Sequence, residues 1–112
     1  IDPVTKNVPI ILFARDPSCN SEDLINTNAD CISLYSTMNN FDTHLSKNKV
    51  ALQGNLNPKV LLEDREIIKK EAYQILSKYK NYPGYIFNLG HGITPDINPD
   101  KVKYLTDIVR EF

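Results

Sequence analysis

Four short apolar runs, separated by longer polar stretches, dominate the pattern of the chain. They are VPIILFA (8–14), DCISLY (30–35), VALQGNL (50–56) and YIFNLG (85–90), and each is too short for a helix. Their apolar residues are continuous rather than alternating, which is typical of strands covered on both faces, as in a parallel sheet. The pattern therefore predicts four buried strands.

A helical signal follows each run. Ser21 is a candidate N-cap for a first short helix in SEDLINTN, and FDTHLSKN (41–48) predicts a second. The longest helix is predicted over 64–80, and a last one begins with Asn98 as cap and Pro99 in its first turn. The predicted apolar faces of these two helices comprise Ile67, Ile68, Ala72, Ile75, Leu76 and Tyr79 in one, and Val102, Leu105, Ile108, Val109 and Phe112 in the other.

This alternation predicts an α/β fold with a parallel sheet and right-handed crossovers, in one domain over residues 1–112. Two architectures satisfy the pattern. One is an open, doubly wound sheet, such as a flavodoxin-like domain that binds a small anion. The other is half of an eight-unit barrel, which typically needs about 250 residues. A half-barrel has two open strand edges that require partners.

Composition narrows the function classes. The net charge is −1, so no global electrostatic attraction to nucleic acid or to an anionic membrane is expected. No apolar stretch approaches the roughly 20 residues that cross a bilayer. Cys19 and Cys31 fit no metal-ligand spacing. The alternatives are a single disulfide or two buried or half-buried thiols in a reducing compartment, and free thiols are expected. No P-loop, dinucleotide fingerprint or nucleophile elbow occurs in the sequence.

The carboxyl ends of parallel strands are where such folds carry their chemistry. His91 follows the fourth run between Gly90 and Gly92, which would let a bulky ligand approach the backbone. A loop histidine can equally be structural. Asn55, in GNLNP after the third run, either binds a ligand or ties its loop to the backbone through its side chain.

Other strand-end residues are weaker candidates. Arg15 and Asp16 follow the first run, where the arginine can pair with a ligand carboxylate or with its neighbour. The polar segment Tyr35–Thr37 follows the second run with no base evident beside it. His44 lies on a predicted helix away from the strand ends, and no function is expected for it.

Three segments together resemble the uroporphyrinogen decarboxylase family. VALQGNLNP, the long helix and GYIFNLGHGITPDINPDKVKYLTDIV are similar to the carboxyl-terminal third of that family, which carries LQGNLDP and FNLGHGI at similar spacing. VPIILFARD resembles the family's P-ILFAKG strand upstream. The resemblance extends from Val8 to Val109.

The resemblance implies a (β/α)8 barrel enzyme that is usually dimeric and needs no cofactor or metal. It implies a cytoplasmic location, or a plastid if a transit peptide precedes residue 1. It implies that residues 1–112 form the last four β/α units, the carboxyl-terminal half of the barrel, and that the chain alone is inactive because the amino-terminal half is absent. The implied activity removes four acetate carboxyl groups from uroporphyrinogen to give coproporphyrinogen in haem biosynthesis. The resemblance assigns His91 as the catalytic residue and as a substrate contact; the other expected substrate contacts are Asn55, Asn88, Gly90 and Gly92.

The sequence departs from the family pattern at two strand ends. GLDWT in the family reads SLYST here (33–37), which replaces an acid and a large aromatic, so the loop is expected to pack differently. GNLDP reads GNLNP, with Asn57 in place of an acid. A sister group of corrinoid-linked methyltransferases binds zinc through a cysteine near the closing strand, but no cysteine follows Cys31 here. The alternative function is a non-catalytic half-barrel that serves as a binding or scaffolding module.

Overall fold

Strands and helices alternate along the chain in the computed structural model, which describes residues 8–15, 18–38 and 41–112. The strands are β1 (Ile11–Phe13), β2 (Cys31–Ser33), β3 (Ala51–Gln53) and β4 (Tyr85–Ile86). The helices are α1 (Ser21–Ile25), α2 (Thr43–Ser46), α3 (Arg65–Tyr79) and α4 (Pro99–Glu111), and a 3₁₀ helix, Pro58–Leu62, precedes α3. The four predicted β/α units are therefore confirmed, with strands shorter than the apolar runs that contain them.

The four strands form one parallel sheet in the order β1-β2-β3-β4. Each strand pairs with the next one along the chain, so Leu12, Ile32, Leu52 and Tyr85 lie in one row across the sheet. A doubly wound sheet reverses its strand order at a switch point, whereas a barrel keeps sequential order. The sequential order is consistent with part of a (β/α)8 barrel and not with a flavodoxin-like domain.

The two faces of the sheet differ in burial. The row of Leu12, Ile32, Leu52 and Tyr85 packs in a core with helical residues that include Leu24 and Tyr79. Side chains alternate along a strand, and the opposite face is open at its edges: Ile11 is 50% exposed, Phe13 42% and Ile86 47%. The prediction that every strand is covered on both faces is therefore wrong for β1 and β4. We call the face that carries Ile11, Phe13 and Ile86 the open face.

The two long helices close a second core at the carboxyl-terminal side of the chain. Ile68 and Ala72 of α3 pack there with Leu105 and Ile108 of α4, and with Leu56 and Leu61 from the β3–α3 connection. Asp64 and Asn98 cap the two helices by accepting from Ile67 N and Asp100 N, so Asn98 has its predicted role. Two residues assigned to the apolar faces are instead exposed, Ile67 at 39% and Phe112 at 49%.

The first helix begins one residue earlier than its predicted cap implies. Asn20 is the N-cap of α1, because its Oδ1 accepts from Glu22 N at 2.8 Å. Ser21 is the first helical residue, and its Oγ accepts from Asp42 N, the residue that caps α2. The predicted cap at Ser21 is thus wrong because Asn20, an equally favoured cap residue, makes the capping bond one position earlier, while the serine connects the two short helices.

Candidate functional site

His91 and the segment after β2 meet at the carboxyl-terminal edge of the sheet. His91 Nδ1 lies 2.6 Å from Ser36 Oγ, and the imidazole stacks on the Tyr35 ring with centroids 5.2 Å apart and planes 26° from parallel. Phe13 continues this aromatic contact, with its centroid 6.3 Å from that of Tyr35. The strand-end histidine is therefore held on two sides, by a hydroxyl and by an aromatic face.

This pairing is the part of the site that sequence reasoning missed. The sequence shows no base beside Tyr35 and Ser36, and the structure brings His91 into that position. The two partners are 55 residues apart, so no local motif joins them. The available signal was topological, because the carboxyl ends of strands in one parallel sheet converge at one edge.

The two glycines that flank His91 have different surroundings. Gly90 is buried, and a Cβ built on it would lie 2.2 Å from Ser36 Oγ and 2.5 Å from Ser36 Cα. Within the described residues, a Cβ on Gly92 would meet nothing closer than 4 Å, and Gly92 is exposed. Gly90 is thus required for the close approach of the segment after β4 to the segment after β2, whereas Gly92 leaves open space beside the histidine.

Asn55 connects the end of β3 to the loop that carries Ser36. It is buried, and its Nδ2 donates to Tyr35 O and to Met38 O, each at 3.1 Å. Both amide hydrogens are used, so Oδ1 is the atom of this side chain left to face a ligand. The geometry favours the loop-tying alternative for Asn55, and its role as a substrate contact stays a prediction.

Asn57 and Asn88 have mainly local partners. Asn57 caps the 3₁₀ helix by accepting from Lys59 N at 3.0 Å, which is a task that aspartate performs equally well. Asn88 is exposed, and its Oδ1 accepts from Leu89 N at 2.8 Å, immediately before Gly90. The change from aspartate in the family motif to Asn57 therefore keeps the capping hydrogen bond, although it removes one negative charge.

The remaining candidates lie apart from this pairing. Arg15 is exposed after β1, and Asp16 lies outside the described residues. Thr37 is exposed next to Ser36, and His44 is exposed on α2, away from the strand ends as predicted. Cys19 and Cys31 are free thiols, and no group of three or more His, Cys, Asp or Glu in the described parts of the chain is arranged to hold a metal ion.

A half-buried tyrosine, Tyr85, supports the site from behind the sheet. The Tyr85 hydroxyl donates to Gly54 O, directly before Asn55, and its ring stacks on Tyr79 at 4.8 Å. Burial raises the pKa of Tyr85 well above the ordinary tyrosine value, with a smaller contribution from Tyr79. Gly54 has φ +129°, a conformation that favours glycine, and a Cβ there would lie 3.0 Å from Leu34 O. The turn into Asn55 is therefore fixed from two sides.

A cavity of about 590 Å³ lies at the opposite end of the strands. Its lining includes Asp30 and Lys49, which precede β2 and β3, and Pro83, which precedes β4. Catalytic groups of parallel α/β barrels lie at the carboxyl ends of the strands. The edge that carries His91 is therefore the candidate site, rather than this cavity. No helix among the described residues has the length and apolar character needed to cross a membrane.

Comparison with known proteins gives one consistent result. The family model described as uroporphyrinogen decarboxylase (URO-D) matches residues 1–112. The chain is 43% identical over 107 residues to the uroporphyrinogen decarboxylase of Vesicomyosocius okutanii, covering 95% of this chain and 31% of that protein. It is 43% identical over 109 residues to that of Ruthia magnifica and 40% identical over 109 residues to that of Chloroherpeton thalassium, covering 96% and 94% of this chain. The chain spans about 31% of the length of these relatives.

Proposed function

The chain belongs to the uroporphyrinogen decarboxylase family, and we propose that it forms the carboxyl-terminal half of a barrel that decarboxylates uroporphyrinogen. In this proposal residues 1–112 contribute β/α units five to eight, and the longer protein contributes the first four. The reaction removes four acetate carboxyl groups and yields coproporphyrinogen for haem biosynthesis. Support comes from the relatives, which carry that name and are about three times as long as the chain.

One observation supports the proposal most directly: His91 is held by Ser36 and Tyr35 at the carboxyl-terminal edge of a sequentially ordered parallel sheet. This is the edge at which barrel enzymes bind their substrates. Beside the histidine, Gly92 leaves space for a large, flat ligand to approach the backbone. A scaffolding module with no ligand would not require that combination.

The chemistry needs a proton at the site. When the bond between an acetate methylene and its carboxyl carbon breaks, carbon dioxide leaves and the electron pair stays on the substrate. A proton must then be added to turn the methylene into a methyl group. Histidine can donate a hydrogen bond to the departing carboxylate or pass on that proton near neutral pH. We assign His91 this role, with Gly90, Gly92, Asn88 and Asn55 lining the same edge as substrate contacts.

The wider properties of the enzyme follow from the same resemblance. We propose a cofactor-independent carboxy-lyase that acts as a homodimer in the cytoplasm, with uroporphyrinogen as its partner molecule. The net charge of −1 supports the proposal that neither nucleic acid nor a membrane is a partner.

The test begins with the mass of the native polypeptide, detected in its source cells with an antibody against this chain. A band near three times 12.8 kDa is expected. The protein purified from those cells should convert uroporphyrinogen to coproporphyrinogen under anaerobic conditions, and His91→Ala should lose about 10²-fold or more in turnover while remaining folded under the assay conditions. A band at 12.8 kDa without turnover would replace the enzyme with a binding or scaffolding half-barrel.

A further inference from the structure

The hydroxyl of Ser36 makes one hydrogen bond within the described residues, and its partner is His91 Nδ1 at 2.6 Å. Ser36 is 9% exposed, so water has little access to satisfy it otherwise. A buried hydroxyl proton without an acceptor destabilises the fold, because the hydrogen bonds it makes with water in the unfolded chain are not replaced. If Nδ1 carried the proton and donated it to Ser36 Oγ, the hydroxyl proton of Ser36 would have no acceptor within the described residues. The arrangement is satisfied when Ser36 donates and Nδ1 accepts.

The direction of this hydrogen bond determines which proton His91 offers. In a neutral imidazole one nitrogen carries a proton and the other accepts. With Nδ1 accepting from Ser36, Nε2 carries the proton and diverges from Ser36 across the ring. Within the described residues Nε2 has no hydrogen-bond partner. The site therefore offers a donor suited to an anionic oxygen, as in a carboxylate.

The position of Ser36 is itself constrained from two sides. The backbone of Gly90 packs directly against Ser36. Asn55 holds the same loop by donating to the carbonyls of Tyr35 and Met38. Tyr35 then supports the face of the imidazole. The serine is therefore part of a loop fixed by the segments that follow β3 and β4, and it can set the orientation of the histidine.

We propose that Ser36 is a positioning residue, which donates to His91 Nδ1, holds the ring in the Nε2–H tautomer and presents that N–H to a substrate acetate carboxylate. The assignment of substrate rests on the proposed function. The assignment of tautomer rests on the geometry alone, so the two can be tested separately.

The tautomer is tested by ¹⁵N NMR of the histidine ring in the full-length protein, with the His91 signals identified by their loss in His91→Gln. Signals of a protonated Nε2 and an unprotonated, hydrogen-bonded Nδ1 are expected, and Ser36→Ala should shift the Nδ1 signal and mix the two tautomers. A protonated Nδ1 in the neutral ring, or ring signals unchanged by Ser36→Ala, would overturn the proposal. This measurement needs no turnover, so it is independent of whether uroporphyrinogen is the substrate.

The kinetic consequence is tested by combining substitutions. Ser36→Ala should lower kcat/KM by about tenfold, the value of one hydrogen bond, with no further loss when it is added to His91→Ala. A role of Ser36 in loop stability would instead lower activity in both backgrounds, and that additive result would contradict positioning. Thr37→Ala is the matched control, because it removes an exposed hydroxyl one residue away and should leave kcat/KM unchanged. Absence of turnover in the unsubstituted protein would remove the proposed function and leave the NMR result standing.

Discussion

The backbone of Gly90 lies in direct contact with Ser36, so that a Cβ on Gly90 would be 2.4 Å from Ser36 N and 2.5 Å from Ser36 Cα. Backbone atoms cannot move aside as a flexible side-chain tip can. Gly90→Ala should therefore separate the β2 and β4 segments and lower the free energy of unfolding by about 1–3 kcal/mol or more, which urea titration will measure.

Gly92→Ala is the natural control for that substitution. Within the described residues nothing lies within 4 Å of a Cβ at Gly92, so its stability should stay within about 0.5 kcal/mol of the unsubstituted chain. Equal destabilisation by the two alanines would show that Ser36 and Gly90 are not packed as described.

Asn55 and Asn57 supply a second matched pair, since each is converted to aspartate with almost no change in shape. Asn55→Asp replaces the donor Nδ2 with an acceptor that faces the carbonyls of Tyr35 and Met38. A loss of about 2–3 kcal/mol is expected from these unsatisfied buried groups. Asn57→Asp keeps the oxygen that accepts from Lys59 N, and it should be neutral within about 0.5 kcal/mol. Comparable unfolding midpoints for both variants would contradict the loop-tying role of Asn55.

The sequence was sufficient to predict the β/α alternation, because periodicity and caps report local burial and local hydrogen bonds. Asn98 and the bounds of the long helix were predicted in this way. Strand order could not be predicted from the pattern, because periodicity reports that a strand is buried and not which strand lies beside it.

The same limit applies to the site. His91 was a visible candidate, but its partner Ser36 is 55 residues away, and the position of Ser36 depends on the packing of Gly90. Resemblance to a family could not supply that partner either, since Ser36 lies in the SLYST segment that departs from the family pattern.

The open face predicts self-association of the isolated 112-residue chain. Phe13 and Ile86 are 42% and 47% exposed on it, and β1 and β4 are the edge strands of the described sheet. Such edges pair with other chains. Light scattering of this chain should show dimers or larger species, and Phe13→Lys combined with Ile86→Lys should reduce them.

Ile67→Lys is the control for that experiment, because Ile67 is equally apolar and 39% exposed but lies on α3. It should leave the mass distribution unchanged. A monodisperse monomer for the unsubstituted chain would count against an incomplete barrel.

Tyr79 and Tyr82 pack against each other, but their hydroxyls differ in hydrogen bonding. The Tyr79 hydroxyl is buried and has no hydrogen-bond partner within the described residues, whereas that of Tyr82 lies 2.7 Å from Ser46 Oγ and 2.6 Å from Val50 O. Tyr79→Phe should therefore be neutral or stabilising by up to about 1 kcal/mol, and Tyr82→Phe should cost about 1–3 kcal/mol. Urea unfolding of the two variants at neutral pH measures the difference, and a larger loss for Tyr79→Phe would mean that its hydroxyl is bonded in solution.

The same tyrosines predict loss of stability at alkaline pH. Burial raises the pKa values of Tyr79, Tyr82 and Tyr85 in the folded chain, and it raises that of the Cys31 thiol. A group whose pKa is higher in the folded state than in the unfolded state favours folding below the unfolded value, and this contribution is lost as pH rises through the folded value. For tyrosine the unfolded value is about 10. These groups should therefore cause little change in the urea midpoint between about pH 7 and 8. Above about pH 10 they should make the midpoint fall steeply.

Tyr85→Phe tests the origin of that alkaline slope. Burial strongly raises the pKa of Tyr85, so the variant should lose part of the pH dependence of stability above about pH 10. The Tyr85 hydroxyl also donates to Gly54 O, so the variant should be less stable at neutral pH. The slope, rather than the midpoint at neutral pH, is the informative quantity, because loss of a hydrogen bond alone would lower stability equally at every pH. An unchanged slope, or tyrosinate absorbance that develops in one step for all six tyrosines before unfolding, would show that the cluster behind the sheet is open to water.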